Sequence, residues 1–168
     1  KRLRIPKLGW LRMVEALRFT GRIVSASISR TADHWYASIT VDTPDATPAQ
    51  AENQGAVGVD LGVTRLATLS TGETFAGPRA FRSLLERLRR LSRSLSRKLK
   101  GSRNRSKAKR KLARLHARIA NVRSNGLHQL STSLTRRFHT IGIEDLHVKG
   151  MLRNRCLARA IADMGFHE

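Results

Sequence analysis

Cysteine occurs once in the 168 residues, at Cys156, which excludes an internal disulfide and a Cys-rich zinc site. In its helical sequence context Cys156 reads as a small packing residue. No apolar run approaches the roughly 20 residues that span a bilayer. The charged amino end has no apolar stretch behind it, so no signal peptide is read there and no membrane partner is expected. A cytoplasmic or nucleoid setting follows. The six histidines, His34, His116, His128, His139, His147 and His167, form no H-E-x-x-H or similar ligand pair and read as solvated or phosphate-contacting. Acids are scarce: 12 Asp and Glu stand against 33 Lys and Arg, a net charge of +21. Such an excess destabilises the compact state by self-repulsion unless a polyanion is present, and nucleic acid is the polyanion it points to. The chain has no initiator Met, and it reads as a piece of a longer protein.

What is present is organised in two parts. Residues 1–42 read as β. Arg22 to Ser29 alternates with period two, Thr31-Ala32-Asp33 is a turn, and Trp35 to Val41 is the returning strand. Trp10, Trp35 and Tyr36 read as core. Residues 43–55 contain Pro44 and Pro48 and no large apolar side chain, and read as a linker. Residues 56–168 form the second domain. Ala56 to Asp60 is a nearly continuous apolar run, predicting a central strand buried on both faces. Short strands over Arg65–Leu69 and Glu73–Phe75 follow, with a turn at Thr71-Gly72. A leucine stripe from Phe81 to Leu99 and a longer one from Leu112 to Phe138 predict two helices, broken at Lys100–Arg105 and paired as an antiparallel hairpin. Thr140 to Ile143 is another buried strand, and Leu152 to Met164 is helical again.

The candidate chemistry lies at the ends of two of these strands. Asp60 closes the first apolar strand and Glu144 closes the one after the hairpin. A carboxylate cannot sit unpaired in an apolar strand interior, but at a strand's carboxyl end it can reach a cleft. If the two strands are neighbours their carboxylates converge, and a divalent cation removes the resulting repulsion. Mg²⁺ (or Mn²⁺) prefers oxygen ligands and retains waters, so such a site is open to a phosphodiester. Asp145 competes with Glu144, because adjacent side chains of a strand point to opposite faces and only one can face Asp60. Asp60-Leu61-Gly62-Val63-Thr64 also fits the first phosphate loop of actin-like ATPases and sugar kinases, but the second Asp-Gly loop and the adenosine-binding Gly-rich segment are absent.

Between Arg79 and Arg123 there are 18 Lys and Arg and one acid, Glu86. Solvated charged faces mix both signs, and this stretch does not. The expected phosphate contacts are Arg79, Arg82, Arg89, Arg90, Arg93, Arg97, Lys98, Lys100, Arg103, Arg105, Lys107, Lys109, Arg110, Lys111 and Arg114. Contacts of this kind release counterions and position nucleic acid without reading its sequence.

Gly58-Val59-Asp60-Leu61-Gly62 with Leu66-Ala67-Thr68-Leu69-Ser70, and Ile143-Glu144-Asp145-Leu146 with Lys149-Gly150-Met151, resemble the first two RuvC segments of the TnpB/OrfB proteins. These are transposon-encoded, RNA-guided DNA endonucleases related to type V CRISPR effectors. Ile5-Pro6-Lys7-Leu8-Gly9-Trp10, Leu112-Ala113-Arg114-Leu115-His116 and Leu157-Ala158-Arg159-Ala160-Ile161 extend the resemblance over almost the whole chain. It implies an α/β fold: an RNase H-like RuvC core with a long basic helical hairpin inserted, preceded by a partial wedge-type β-barrel module. It implies a prokaryotic, magnesium-dependent endonuclease that works with a guide RNA, a target DNA and the remaining segments of the same protein. Asp60 and Glu144 would be its first two metal-binding carboxylates. The family's third catalytic Asp and its zinc ribbon lie in later segments, so this stretch alone is expected to be inactive. A nuclease-dead RNA- or DNA-binding regulator is the alternative.

Overall fold

A computed structural model of the chain describes residues 1–43 and 52–166. The chain divides into two compact units, Lys1–Pro48 and Ala49–Glu168. Most of the linker expected at 43–55 lies outside the described residues.

The first unit consists of two antiparallel hairpins. Strands β1 (Arg2–Ile5) and β2 (Gly9–Arg12) pair from Arg2↔Arg12 to Ile5↔Gly9. Strands β3 (Arg22–Thr31) and β4 (His34–Asp42) are longer than the sequence predicts, because the turn needs only Ala32 and Asp33, with Ala32 at φ 57°. The period of two gives this hairpin distinct faces. Ser25↔Thr40, Ser27↔Ser38 and Ser29↔Tyr36 alternate with Ala26↔Ile39, Ile28↔Ala37 and Arg30↔Trp35. Ser25 donates a hydrogen bond to Thr40 across the pair (3.1 Å), and the Arg30 guanidinium lies over the Trp35 ring. None of the described residues here is buried. Trp10 and Trp35 are 64% and 68% exposed, and Tyr36 is exposed too, so none of the three is the core residue expected. The unit holds two separate two-stranded sheets, and a two-stranded sheet by itself encloses no core.

The second unit is a mixed α/β layer. Strands β5 (Ala56–Leu61), β6 (Ala67–Leu69), β7 (Thr74–Phe75) and β8 (Thr140–Ile143) form one sheet in the order β7-β6-β5-β8. β5 is antiparallel to β6 and parallel to β8, as a strand–helix–strand crossover requires. The crossover is the helix pair α1 (Ala80–Ser96) and α2 (Arg103–Arg137). α2 has 35 residues and is about 50 Å long. Its last third lies on the sheet, where Leu130, Leu134 and Phe138 pack with Val57, Val59, Leu66, Ala67 and Leu69. Its middle packs Leu115 and Ile119 against Ala80 and the half-buried Phe81, Leu84, Leu88 and Leu91 of α1. The short helices α3 (Val148–Met151) and α4 (Ala158–Met164) follow β8.

Three expectations change here. β5 is covered on one face only: Val57 and Val59 are buried while Ala56, Gly58 and Asp60 are exposed. The run looked doubly buried because Ala and Gly count as apolar without filling a second core. Leu99 lies beyond the end of α1 and is 80% exposed. Cys156 is exposed in the turn before α4, where its N–H donates to the Asn154 side chain. Among the described residues no helix is long and apolar enough to cross a membrane.

Candidate functional site

β5 and β8 are neighbours with Val57↔Ile141, Gly58↔Gly142 and Val59↔Ile143 in register. Asp60 is the next residue of β5, and Glu144 is the residue immediately after β8. The side-chain period places Asp60 opposite Val59, on the face that α2 does not cover, where it shares the exposed side with Gly58. Glu144 follows Gly142 by two and is exposed as well. Neighbouring strands lie about 4.8 Å apart, so the two positions are adjacent at the carboxyl end of the parallel pair. β8 ends at Ile143, so the alternation that sets Glu144 apart from Asp145 stops one residue short. Register alone singles out Glu144.

The other acids of this unit among the described residues are engaged. Glu73 accepts from Arg137 (2.7 Å), Glu86 from Arg89 (2.7 Å), Glu52 from Gln54 (3.1 Å), and Asp163 from backbone N–H groups. The side chains of Asp60, Glu144 and Asp145 have no hydrogen bond or ion pair among the described residues. Among the described residues no three His, Cys, Asp or Glu side chains gather into a metal cage. Two open carboxylates fit the habit of Mg²⁺, which takes one or two from protein and completes its shell with waters and phosphate oxygens.

The basic residues divide by what they touch. Arg82, Arg90, Arg93, Arg97, Lys100, Arg103, Lys107, Lys109, Arg110, Lys111 and Arg114 are exposed along the helix pair, and Arg89 is exposed beside its partner Glu86. Arg79 and Arg105 have internal tasks. Arg79 donates from Nη2 to the Thr64 carbonyl (2.9 Å). Arg105 donates from Nη1 to the carbonyls of Leu95 and Lys98 (3.1 and 2.9 Å), closing the C-terminal end of α1, and Lys98 is half-buried at that turn.

Asp163 went unnoticed in the sequence. It is 4% exposed and receives the N–H groups of Phe81 and Arg82. The available signal was an acid between Ala162 and Met164, on the helix of an acid-poor chain.

Residues 37–155 match the sequence pattern of the OrfB_IS605 family, described as “Probable transposase”; the match contains both carboxylates and the whole helix pair. The chain is 37% identical over 182 residues to “Putative RNA-guided DNA endonuclease InsQ” of Escherichia coli K12, an alignment covering 99% of the chain and 45% of that relative. It is 48% identical over 137 residues to a “Putative RNA-guided DNA endonuclease” of Streptomyces pristinaespiralis, covering 82% of the chain and 34% of the relative. A Mycobacterium tuberculosis protein of the same description is 34% identical over 176 residues, covering 96% of the chain and 38% of the relative. The chain thus spans less than half the length of these curated relatives.

Proposed function

The chain belongs to the OrfB_IS605 family, and on that premise we propose that it is part of a prokaryotic RNA-guided DNA endonuclease with a RuvC-type site at the end of β5 and β8. Residues 56–168 are the RNase H-like part of that nuclease, and residues 1–42 belong to a wedge-type β module. The longer protein acts in the cytoplasm, at the nucleoid.

The observation that carries this reading is the pair of unpartnered carboxylates, Asp60 and Glu144, at adjacent positions on neighbouring parallel strands. Asp60 and Glu144 would hold Mg²⁺, or Mn²⁺ in its place. When bound, the ion supplies Lewis-acid stabilisation of charge at a phosphodiester. The chain's own residues do the rest. Asp60 and Glu144 are both exposed, and Asp60 lies on the open side of the sheet, where a nucleic-acid strand could approach without displacing α2. The exposed cations of α1 and α2 neutralise phosphates and hold guide RNA and target DNA by their backbones. Base pairing with the guide supplies sequence choice, which a surface of Lys and Arg cannot. Further ligands come from water, from phosphate oxygens and from the rest of the longer protein.

The test is cleavage of target DNA by the intact protein with its guide RNA and Mg²⁺. Asp60→Ala and Glu144→Ala should each abolish cutting and leave DNA binding in place. Unchanged cutting in either variant would sink the site assignment. The second reading is a nuclease-dead binder of RNA or DNA that uses the same basic surface. Guide-dependent binding by the intact protein, with no cutting under any divalent cation, would select it.

A further inference from the structure

We propose that Asp163 and Arg79 are positioning residues that fix where the basic helix α1 stands relative to the two carboxylates; the inference rests on the nuclease reading for its effect on cutting.

The first turn of any helix leaves N–H groups without intrahelical partners, usually met by Ser, Thr, Asp or Asn at the position before it. Before α1 stands Arg79, held at φ 43° and ψ 37°, with no side-chain cap of its own. The cap comes from Asp163, 82 residues later on α4. Its Oδ1 accepts from Phe81 N–H at 2.7 Å and its Oδ2 from Arg82 N–H at 2.9 Å. Asp163 is the only buried charged residue among those described, and its charge faces the positive end of a helix. Next to it Met164 packs onto Gly77 so closely that any side chain at 77 would collide with its sulfur. On the other side of the root, the Arg79 guanidinium holds the Thr64 carbonyl.

The two grips come from significant places. Thr64 lies in the segment just after Asp60, and α4 lies in the segment after Glu144. The root of α1 is therefore held by the chain downstream of each carboxylate. α1 is about 25 Å long, so a tilt of about 10° at its root moves its far end by about 4 Å. Misplacement of about 1 Å can slow a reaction by about 100-fold. In the α1–α2 contact Ala80 is the α1 side chain that is buried, and Phe81, Leu84, Leu88 and Leu91 are half-buried.

The test uses Asp163→Ala, Asp163→Asn and Arg79→Ala. In the full chain, with Cys156→Ser as background, spin labels at Ser94→Cys and Thr71→Cys report the distance from α1 to the sheet. Amide exchange reports Phe81 and Arg82. We expect Asp163→Ala to speed exchange of both amides by about tenfold and to broaden the distance distribution. Arg79→Ala should broaden it less. In the intact guide-loaded protein, Asp163→Ala should bind DNA with an unchanged salt dependence yet cut the bound DNA about tenfold more slowly. Asp163→Asn keeps one acceptor and should lie between. A purely structural cap would lower thermal stability without changing the cutting rate of bound complex, so wild-type cutting by Asp163→Ala overturns the proposal, as does an unbroadened distance distribution. If Asp163→Ala does not fold, Asp163→Asn and Arg79→Ala carry the same readouts. If wild-type protein does not cut, the nuclease reading fails, and the distance measurement decides the grip by itself.

Discussion

The sheet of Ala49–Glu168 and the helix pair that crosses it handle charge in opposite ways. At the end of the sheet, the side chains of Asp60 and Glu144, on neighbouring strands, and of Asp145, next to Glu144 in sequence, have no cation attached among the described residues. Along the helix pair, cations crowd a surface on which Glu86 is the one acid between Arg79 and Arg123. Neither arrangement favours a free, isolated domain, because each leaves like charges together. A divalent cation relieves the first and a polyphosphate the second. If the proposed function holds, the difference teaches that cutting and holding would be carried by separate elements and should be separable by substitution.

The largest effect is expected at the sheet. Removing a metal-binding carboxylate forfeits several kcal/mol of charge stabilisation, and about 4 kcal/mol is about 1000-fold in rate. Asp60→Ala and Glu144→Ala in the intact protein should each slow cutting by at least about 1000-fold while the affinity for DNA changes by less than about threefold, measured by single-turnover cleavage beside a binding isotherm. Loss of binding in parallel with loss of cutting would erase the contrast between the two regions. Asp145→Ala sharpens it: near-normal cutting is expected, and a loss equal to that of Glu144→Ala would move the second ligand to position 145.

A stability difference comes next. Leu134 of α2 is buried on the sheet, whereas Leu91 of α1 is half-buried in the hairpin. Leu134→Ala should destabilise by about 2–5 kcal/mol, the range for a core leucine. Leu91→Ala should destabilise by less than about 2 kcal/mol, since part of its surface already meets water. Urea unfolding of the full chain measures both, and equal losses would mean that the hairpin is as firmly cored as the sheet.

Neutralising the helix pair should act on binding alone. Gln at Lys107, Lys109, Arg110 and Lys111 removes four exposed cations from one stretch of α2. If all four touch phosphates, the dependence of log K on log salt should flatten by about 3 to 4. We expect affinity to fall about tenfold at moderate salt, and the cutting rate of DNA that is still bound to stay within about twofold. A salt slope equal to wild type would show that these four side chains are only solvated.

What the sequence revealed and what it hid follow from the same physics. Period two and period 3.6 are local, so the strands from Arg22 to Leu61, the helix pair and β8 could be read from the residues in order. β5 and β8 pair in parallel, as the helical crossover between them requires. Burial is not local. The alternation in Arg22–Thr31 identifies two faces without saying whether anything covers them, and Trp35 and Tyr36 are exposed for that reason. Gly58 and Ala56 counted as apolar in β5, yet they border an open face. Asp163 was hidden because its partners are 81 and 82 residues away, and the charge count placed Arg79 and Arg105 on the phosphate surface although both guanidiniums bind carbonyls of their own chain.

The smallest effect tests the tip of the hairpin against its root. At the root, α1 is capped from a distance by Asp163. At the tip, α2 is capped locally: Ser102 lies in extended geometry and its Oγ accepts from Arg105 N–H at 3.1 Å, while the Arg105 side chain turns back to the last carbonyls of α1. Ser102→Ala leaves that N–H without its partner, and such caps are worth about 1 kcal/mol. Because every group involved lies within a few residues, the loss should stay local. Faster amide exchange is expected at Arg105 and its neighbours, with none at Phe81 or Arg82, and the cutting rate should match wild type. A change in cutting on Ser102→Ala would mean that the tip, and not the root, sets the position of the basic surface, because a local cap can reach the carboxylates only by reorienting the whole hairpin.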